Sequence, residues 1–223
     1  MARPNFDPLQ VPVDRIDSHL AAVPSDRLAA EALQQRFARP PNWQPEILRE
    51  RKFMERESAN AAVLMGVVMR AEPTILLTQR TEHMSTHAGQ VAFAGGKCDA
   101  HDADAAATAL REAFEEIGLE AHHVTVLGEL PTYITGSAFH VTPIVALIDP
   151  AMQLRINTHE VASAFEVPLA YLMNPANHRW HVWEFEGVQR KWLSMPYQDG
   201  PDQRFIWGAT AGMIRNLYRF LLA

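Results

Sequence analysis

The chain of 223 residues predicts an α+β fold, a mixed α/β/α layered domain behind an N-terminal helical extension. Three observations predict it. Apolar runs of strand length recur from Ala59 onward, separated by Gly, Pro and polar turn signals. One alanine-rich segment with capping residues at both ends lies among them, at residues 104–117. The chain closes on an amphipathic helix. Strands and helices mixed in this way, with hairpins, bury their apolar faces as layers.

Taken in order, residues 1–24 carry prolines at 4, 8, 12 and 24 and are expected to run irregularly over the surface. Ser25 or Asp26 can cap a helix through Phe37, with Leu28, Ala32, Leu33 and Phe37 near helical spacing. Arg39-Pro40-Pro41 stops it. Trp43–Met54 reads as an irregular stretch or as a short helix opened by Pro45. Residues 1–55 are therefore read as an extension, and 56–223 as the main domain. Ala61–Met69 and Thr74–Gln79 are strands joined by the turn Arg70-Ala71-Glu72-Pro73. Gln90–Phe93 is a short strand running into Gly95-Gly96. Further strands follow at Val124–Leu130, Phe139–Ile148 and Ala164–Pro168. Trp180–Phe185 and Arg190–Met195 form a hairpin about Glu186-Gly187. From Ala209 to Leu222 the apolar residues Met213, Ile214, Leu217, Phe220 and Leu221 mark one helix face.

Composition narrows the function. The chain is 48% hydrophobic and 21% charged, ordinary values for a globular protein with a sizeable core. A net charge of −6 argues against a nucleic-acid binder, which presents a basic face. An anionic small molecule fits, because a bound divalent cation reverses the local charge. Cys98 is the one cysteine, so no intrachain disulfide is expected. No apolar run reaches the roughly 18–20 residues of a membrane span, and the first residues lack the apolar segment of a signal peptide. A cytoplasmic protein is expected. His122, His123, His178 and His181 read as surface polar residues, and Trp180, Trp183 and Trp192 as core or homodimer contacts.

The chemistry points to residues 104–117. Asp102 or Asp104 can cap this helix at its start, and Gly118 stands where a C-terminal cap belongs. At about 100° per residue, Glu116 lies about 40° and Glu115 about 300° from Glu112. Ala106, Leu110, Phe114 and Ile117 fall on the far side, the expected core face. Three carboxylates on adjoining turns repel one another; Arg111 offsets part of this, and a divalent cation with a preference for oxygen ligands, Mg²⁺ or Mn²⁺, offsets more. An acidic run also arises as a plain solvated face, but the glycine turn before it and Gly118 after it favour a metal site at Glu112, Glu115 and Glu116. Gly95 and Gly96 can bring backbone close to a phosphate.

These residues resemble the signature of the Nudix hydrolases, G-x5-E-x7-R-E-U-x-E-E-x-G-U with U apolar. Arg111, Glu112, Glu115, Glu116 and Gly118 match its second half, with Ala113 and Leu119 at the apolar places. The first half departs: Lys97 stands at the glycine position, Ala103 at the glutamate position, and Gly96 comes one residue early. Asp102 or Asp104 is expected to replace the missing glutamate in holding a longer loop. Leu76-Leu77-Thr78-Gln79-Arg80, then His87 through Gly96, is similar to the coenzyme A pyrophosphatase signature L-L-T-x-R-[SA]-x3-R-x3-G-x3-F-P-G-G. Thr81, Ser85 and Ala94 depart from it, and Ser85 replaces an arginine able to pair with phosphate.

The resemblance implies an α/β/α sandwich with a mixed β-sheet that hydrolyses a phosphoanhydride in a small-molecule diphosphate substrate. Glu112 and Glu116, with Glu115, would hold Mg²⁺ or Mn²⁺, and Arg80, Gly95, Gly96 and Lys97 would hold substrate. Glu160 is the remote glutamate, either general base or further metal ligand, and Arg111 braces the carboxylates. Coenzyme A or its thioesters are the leading substrates, with nucleotide sugars, dinucleotides and nucleoside triphosphates as alternatives. The rival from another class is a nucleotide-binding domain without catalysis, against which the complete carboxylate set speaks.

Overall fold

A computed structural model describes residues 7–52, 57–83, 87–185 and 187–223. The chain begins with β1 (Val13–Ile16), a 3-10 turn at Ser25–Leu28 and helix α1 (Ala30–Ala38). Strands β2 (Ala59–Val68), β3 (Thr74–Arg80), β4 (Val91–Ala92) and β5 (Gly95–Lys97) lead into the acidic helix α2 (Ala105–Ile117). After it come β6 (Val124–Glu129), β7 (Tyr133–Ile134), β8 (Phe139–Ile148), β9 (Val161–Pro168) and the single-turn helix α3 (Leu169–Leu172). The hairpin β10 (Arg179–Phe185) and β11 (Val188–Asp199), then β12 (Asp202–Trp207) and helix α4 (Gly208–Leu222), complete the chain.

The central sheet is mixed. β2 runs parallel to β8 along its whole length, Ala59 opposite Phe139 to Val68 opposite Ile148, and antiparallel to β3 and β5. Both strands are nearly all apolar because both faces of the sheet are covered. Their side chains alternate between two cores. Ala62, Leu64 and Val68 join Ile144, Ala146 and Ile148 beneath α2. Ala61, Met65 and Val67 join Val141, Val145 and Leu147 beneath α4, whose Met213, Ile214, Leu217 and Phe220 fill the opposite layer. Leu28 and Leu33 from the N-terminal segment enter that second core. The α/β/α layering expected from the sequence is the architecture observed.

Neither Ser25 nor Asp26 caps a helix, since Ser25–Leu28 is a 3-10 turn and α1 begins only at Ala30. Four further readings change or are settled. Residues 1–24 are not wholly irregular: β1 pairs antiparallel with β10 at the edge of a second, four-stranded sheet ordered β1-β10-β11-β12. Residues 43–52 form no helix. Asn216 on α4 clasps Ile47, accepting from its N–H at 3.0 Å and donating to its carbonyl at 2.6 Å. Arg49 bridges Ile134, so the segment's backbone groups are met in extended form; Met54, its expected end, lies outside the described residues. His178 and His181 are buried. His178 bonds the Leu172 carbonyl and Arg215, and His181 bonds Ser194 and the carbonyls of Val11 and Pro12, which satisfies their ring nitrogens without water.

The fourth change concerns α2. Its buried residues are Thr108, Ala109, Ala113, Glu116 and Ile117, while Leu110 and Ala106 are only partly covered and Phe114 is 54% exposed. Relative to Glu112, Ala109 and Ala113 lie at about 60° and 100°. The apolar and acidic arcs therefore overlap. The small alanines let the helix settle closely on β2, and Glu116 enters between helix and sheet.

Candidate active site

The site is built where β5 meets α2. β5 pairs with β2, Gly95 opposite Val63 and Gly96 opposite Ala62. A Cβ on Gly96 would stand 2.5 Å from Cδ of Glu112, and one on Gly95 would collide with the Ala62 carbonyl. Only glycine lets backbone and carboxylate approach this closely. The Gly95 N–H donates to Oε2 of Glu116 at 3.3 Å.

Across from the glycines, Arg80 ends β3, with Nη1 3.7 Å from Oε1 of Glu116. Its Nε is buried and has no hydrogen-bond partner among the described residues. The third side is Glu160. Its loop is fastened to the end of α2, Asn157 N–H donating to the Glu116 carbonyl and Arg155 N–H to that of Ile117. Thr81 ties the same loop to β3 through the carbonyls of Glu160 and His159. Arg80, Gly95, Gly96, Lys97, Glu112, Glu116 and Glu160 all line one cavity of about 560 Å³.

The charges in this cavity are poorly compensated. Burial pushes the Glu116 carboxyl up to about 7; the Arg80 charge and the Gly95 N–H oppose this, and the charges of Glu112 and Glu160 add to it. Burial raises Glu112 as well, opposed by Arg111 and reinforced by Glu115 and Glu160. Hard oxygen donors held at such a cost fit a divalent cation. Among the described residues no three His, Cys, Asp or Glu side chains already close on one point. A pair of carboxylates suits Mg²⁺, which keeps several waters and takes one or two carboxylates together with substrate phosphates.

Arg111 and Glu115 stand outside the cavity. Arg111 donates to Asp102 through Nε at 3.0 Å and Nη2 at 2.9 Å, to Glu112 at 2.8 Å, to Glu115 at 3.2 Å and to the Lys97 carbonyl at 3.1 Å. It links the glycine loop to the helix and touches no open space in the cavity. Glu115 is more than half exposed, with Arg111 as its partner. The two candidate loop aspartates divide the work. Asp102 takes the bidentate arginine, the Asp99 N–H and the Thr108 hydroxyl, which hold its carboxyl well below the usual range. Asp104 caps α2, accepting from Ala107 N–H at 2.8 Å. Ser85 lies outside the described residues.

The cavity has a second pole that the motifs did not mark. Glu50, Thr135, Ser137 and Arg190 line its far end, with Phe139, Val141 and Met213 along the wall between. Glu50 and Arg190 are distant in sequence and belong to no recognised spacing. Only the fold joins them.

An acidic helix packed on a glycine bend, with an arginine donor that no described residue takes, inside an α/β/α domain, is in keeping with a pyrophosphohydrolase. The chain belongs to the Nudix family: the NUDIX domain matches residues 60–197. It is 44% identical over 160 residues to the Nudix hydrolase NudL of Yersinia enterocolitica, covering 72% of this chain and 80% of that protein. It is 42% identical over 171 residues to NudL of Escherichia coli strain K12, covering 75% and 86% respectively. The crystal structure of a C. elegans Ap4A hydrolase binary complex overlaps 53% of this chain and 85% of that chain at 20% identity, with a TM-score of 0.43. No described helix is long and apolar enough to cross a membrane.

Proposed function

We propose that the chain hydrolyses the phosphoanhydride bond of coenzyme A or a coenzyme A thioester, giving 3′,5′-ADP and a 4′-phosphopantetheine. The observation that carries the hydrolytic reading is the convergence of Glu112, Glu116, Glu160 and Arg80 on one cavity beside Gly95-Gly96. The coenzyme A reading is supported by the match of residues 76–96 to that branch's signature. Ser85, where the signature has arginine, favours a second reading, another nucleoside diphosphate derivative such as a nucleotide sugar or dinucleotide.

In this proposal Glu112 and Glu116 hold Mg²⁺ or Mn²⁺, and Glu115 joins them from the adjoining turn or remains the brace of Arg111. The cation would neutralise charge on the phosphoryl oxygens and lower the pKa of water. The Arg80 guanidinium takes a diphosphate oxygen with its unused Nε–H. Glu160 accepts a proton from the attacking water or supplies a further metal ligand. Gly95, Gly96 and Lys97 border the phosphates. Arg111 and Asp102 keep the loop and the carboxylates in register.

The decisive test is a screen of diphosphates with Mg²⁺ and with Mn²⁺, products read by mass. Release of 3′,5′-ADP from coenzyme A above all other turnover is expected. Preference for another diphosphate would displace coenzyme A, and no turnover of any would displace the hydrolytic reading. Ser85→Arg is expected to improve coenzyme A turnover.

A further inference from the structure

Glu50 precedes the residues matched by the family domain, yet it lines the same cavity as Glu112 and Glu116. The sheet sets the distance between the two poles. Lys97, Ala61, Val141 and Tyr133 are successive partners across β5, β2, β8 and β7. Three strand spacings separate Lys97 from Tyr133 by about 14 Å. That leaves room for an extended arm of a nucleoside diphosphate beyond its phosphates, and the wall between the poles is apolar.

The far pole is rigid. The Tyr133 hydroxyl donates to Oε1 of Glu50 at 3.1 Å, and the Gly136 N–H donates to Oε2 at 2.9 Å. Burial and the Glu50 charge keep the phenol protonated, so it is a fixed donor. A carboxylate accepts about four hydrogen bonds, which leaves acceptor capacity on the side of Glu50 that borders the cavity. Thr135 and Ser137 bond each other at 3.0 Å beside it. Arg190 lines the same end of the cavity; burial lowers its pKa, and the Glu50 charge opposes that shift. A carboxylate with free acceptor positions at this pole does not suit a second phosphate. It suits a neutral group rich in donors.

We infer that Glu50 is a specificity-determining residue, accepting hydrogen bonds from hydroxyl, amide or amino groups on the substrate arm that extends from the diphosphate to this pole. The inference rests on the proposed diphosphate site at Glu112, Glu116 and Arg80. The segment before residue 60 is then part of the substrate site.

The test compares full-length wild type with Glu50→Gln on coenzyme A, ADP-ribose and the methyl ester of ADP. KM is expected to rise tenfold or more while kcat stays within twofold. A rise on all three assigns the adenosine arm to this pole. A rise on coenzyme A or ADP-ribose alone assigns the second arm. Mn²⁺ affinity, read by electron paramagnetic resonance, is expected to be unchanged, whereas a disturbance reaching Glu112 and Glu116 would lower it. Glu50→Asp keeps the charge, shortens the reach and is expected to act in the same direction. Unchanged KM on every substrate, or lost Mn²⁺ affinity, would overturn the inference and leave hydrolysis standing. Titration with the α,β-methylene analogue of ADP-ribose separates the two ideas further. Binding of this analogue by the wild type, weakened tenfold by Glu50→Gln, with no turnover of the three cleavable diphosphates, keeps this inference and removes hydrolysis; absence of both binding and turnover removes both.

Discussion

Burial holds the Glu116 proton to about pH 7, against 4.5 for a free glutamate. Below pH 4.5 folded and unfolded chains both carry this proton, and the stability tied to it is complete. As pH rises through 7 the folded carboxyl must ionise in a confined place, and that stability is lost. The difference corresponds to about 3 kcal/mol in the metal-free protein. Glu116→Gln cannot ionise. Its melting temperature in EDTA above pH 7 is therefore expected to exceed that of the wild type, while most Mg²⁺- or Mn²⁺-dependent hydrolysis disappears. A lower melting temperature together with unchanged turnover would refute the assignment. Arg80 makes the complementary case. Its buried Nε has no partner among the described residues, and a lysine cannot supply that second donor. Arg80→Lys is expected to lower kcat/KM for a diphosphate by about 10- to 100-fold, which is roughly 1.4–2.7 kcal/mol of transition-state stabilisation.

At the scale of the element, α2 shows what the sequence made legible and what it did not. Its limits were readable because capping has a local cause: Asp104 precedes the first turn and Gly118 adopts a left-handed φ of 66°. Asp104→Ala is expected to cost about 1 kcal/mol, to lower the melting temperature by roughly 2–4 °C and to leave KM alone. The buried face was not readable. Leu110 and Phe114 outweigh Ala109 and Ala113 in hydrophobicity, yet the alanines are what permit close approach to β2, and that preference comes from the sheet. β1 was hidden for a related reason, since its partner β10 lies far along the chain. Within the site, Arg80 and the glycine pair were visible as a motif, whereas Glu50 and Arg190 meet only through the fold. Gly96→Ala probes the contact between β5 and α2 directly. Its methyl would displace the Glu112 carboxylate, so Mn²⁺ affinity is expected to fall at least tenfold with the circular dichroism unchanged.

Across the whole molecule, one buried cluster ties the N-terminal segment to the closing helix. Arg215 of α4 reaches Asp17 at 2.9 Å, Glu46 at 2.8 Å and Nδ1 of His178 at 2.9 Å, and Trp180 donates to Asp17 at 2.8 Å. The hydrogen bonds define the His178 ring: Nδ1 accepts from Arg215, so Nε2 carries the proton and donates to the Leu172 carbonyl. A second proton would have to face the guanidinium. Burial, helped by Arg215 and opposed by the Leu172 carbonyl, Asp17 and Glu46, pushes this imidazole down to about 4. Its stability contribution is complete above the unfolded value of 6.5, where both states are neutral. As pH falls from 6.5 to 4 the unfolded chain binds a proton that the folded chain refuses, and about 3 kcal/mol is lost. Against the upward push of burial, the Trp180 N–H and Arg215 lower Asp17, and Arg215 and Arg219 lower Glu46, below the usual carboxylate range, so their losses come at more acidic pH. His178→Gln, which can keep the bond to Leu172 and still accept from Arg215, removes the titration. Urea unfolding between pH 7 and pH 4 is expected to show a steep loss of stability in the wild type and a markedly flatter profile in the variant. Parallel profiles would mean that His178 titrates alike in both states and that the cluster does not exclude its proton.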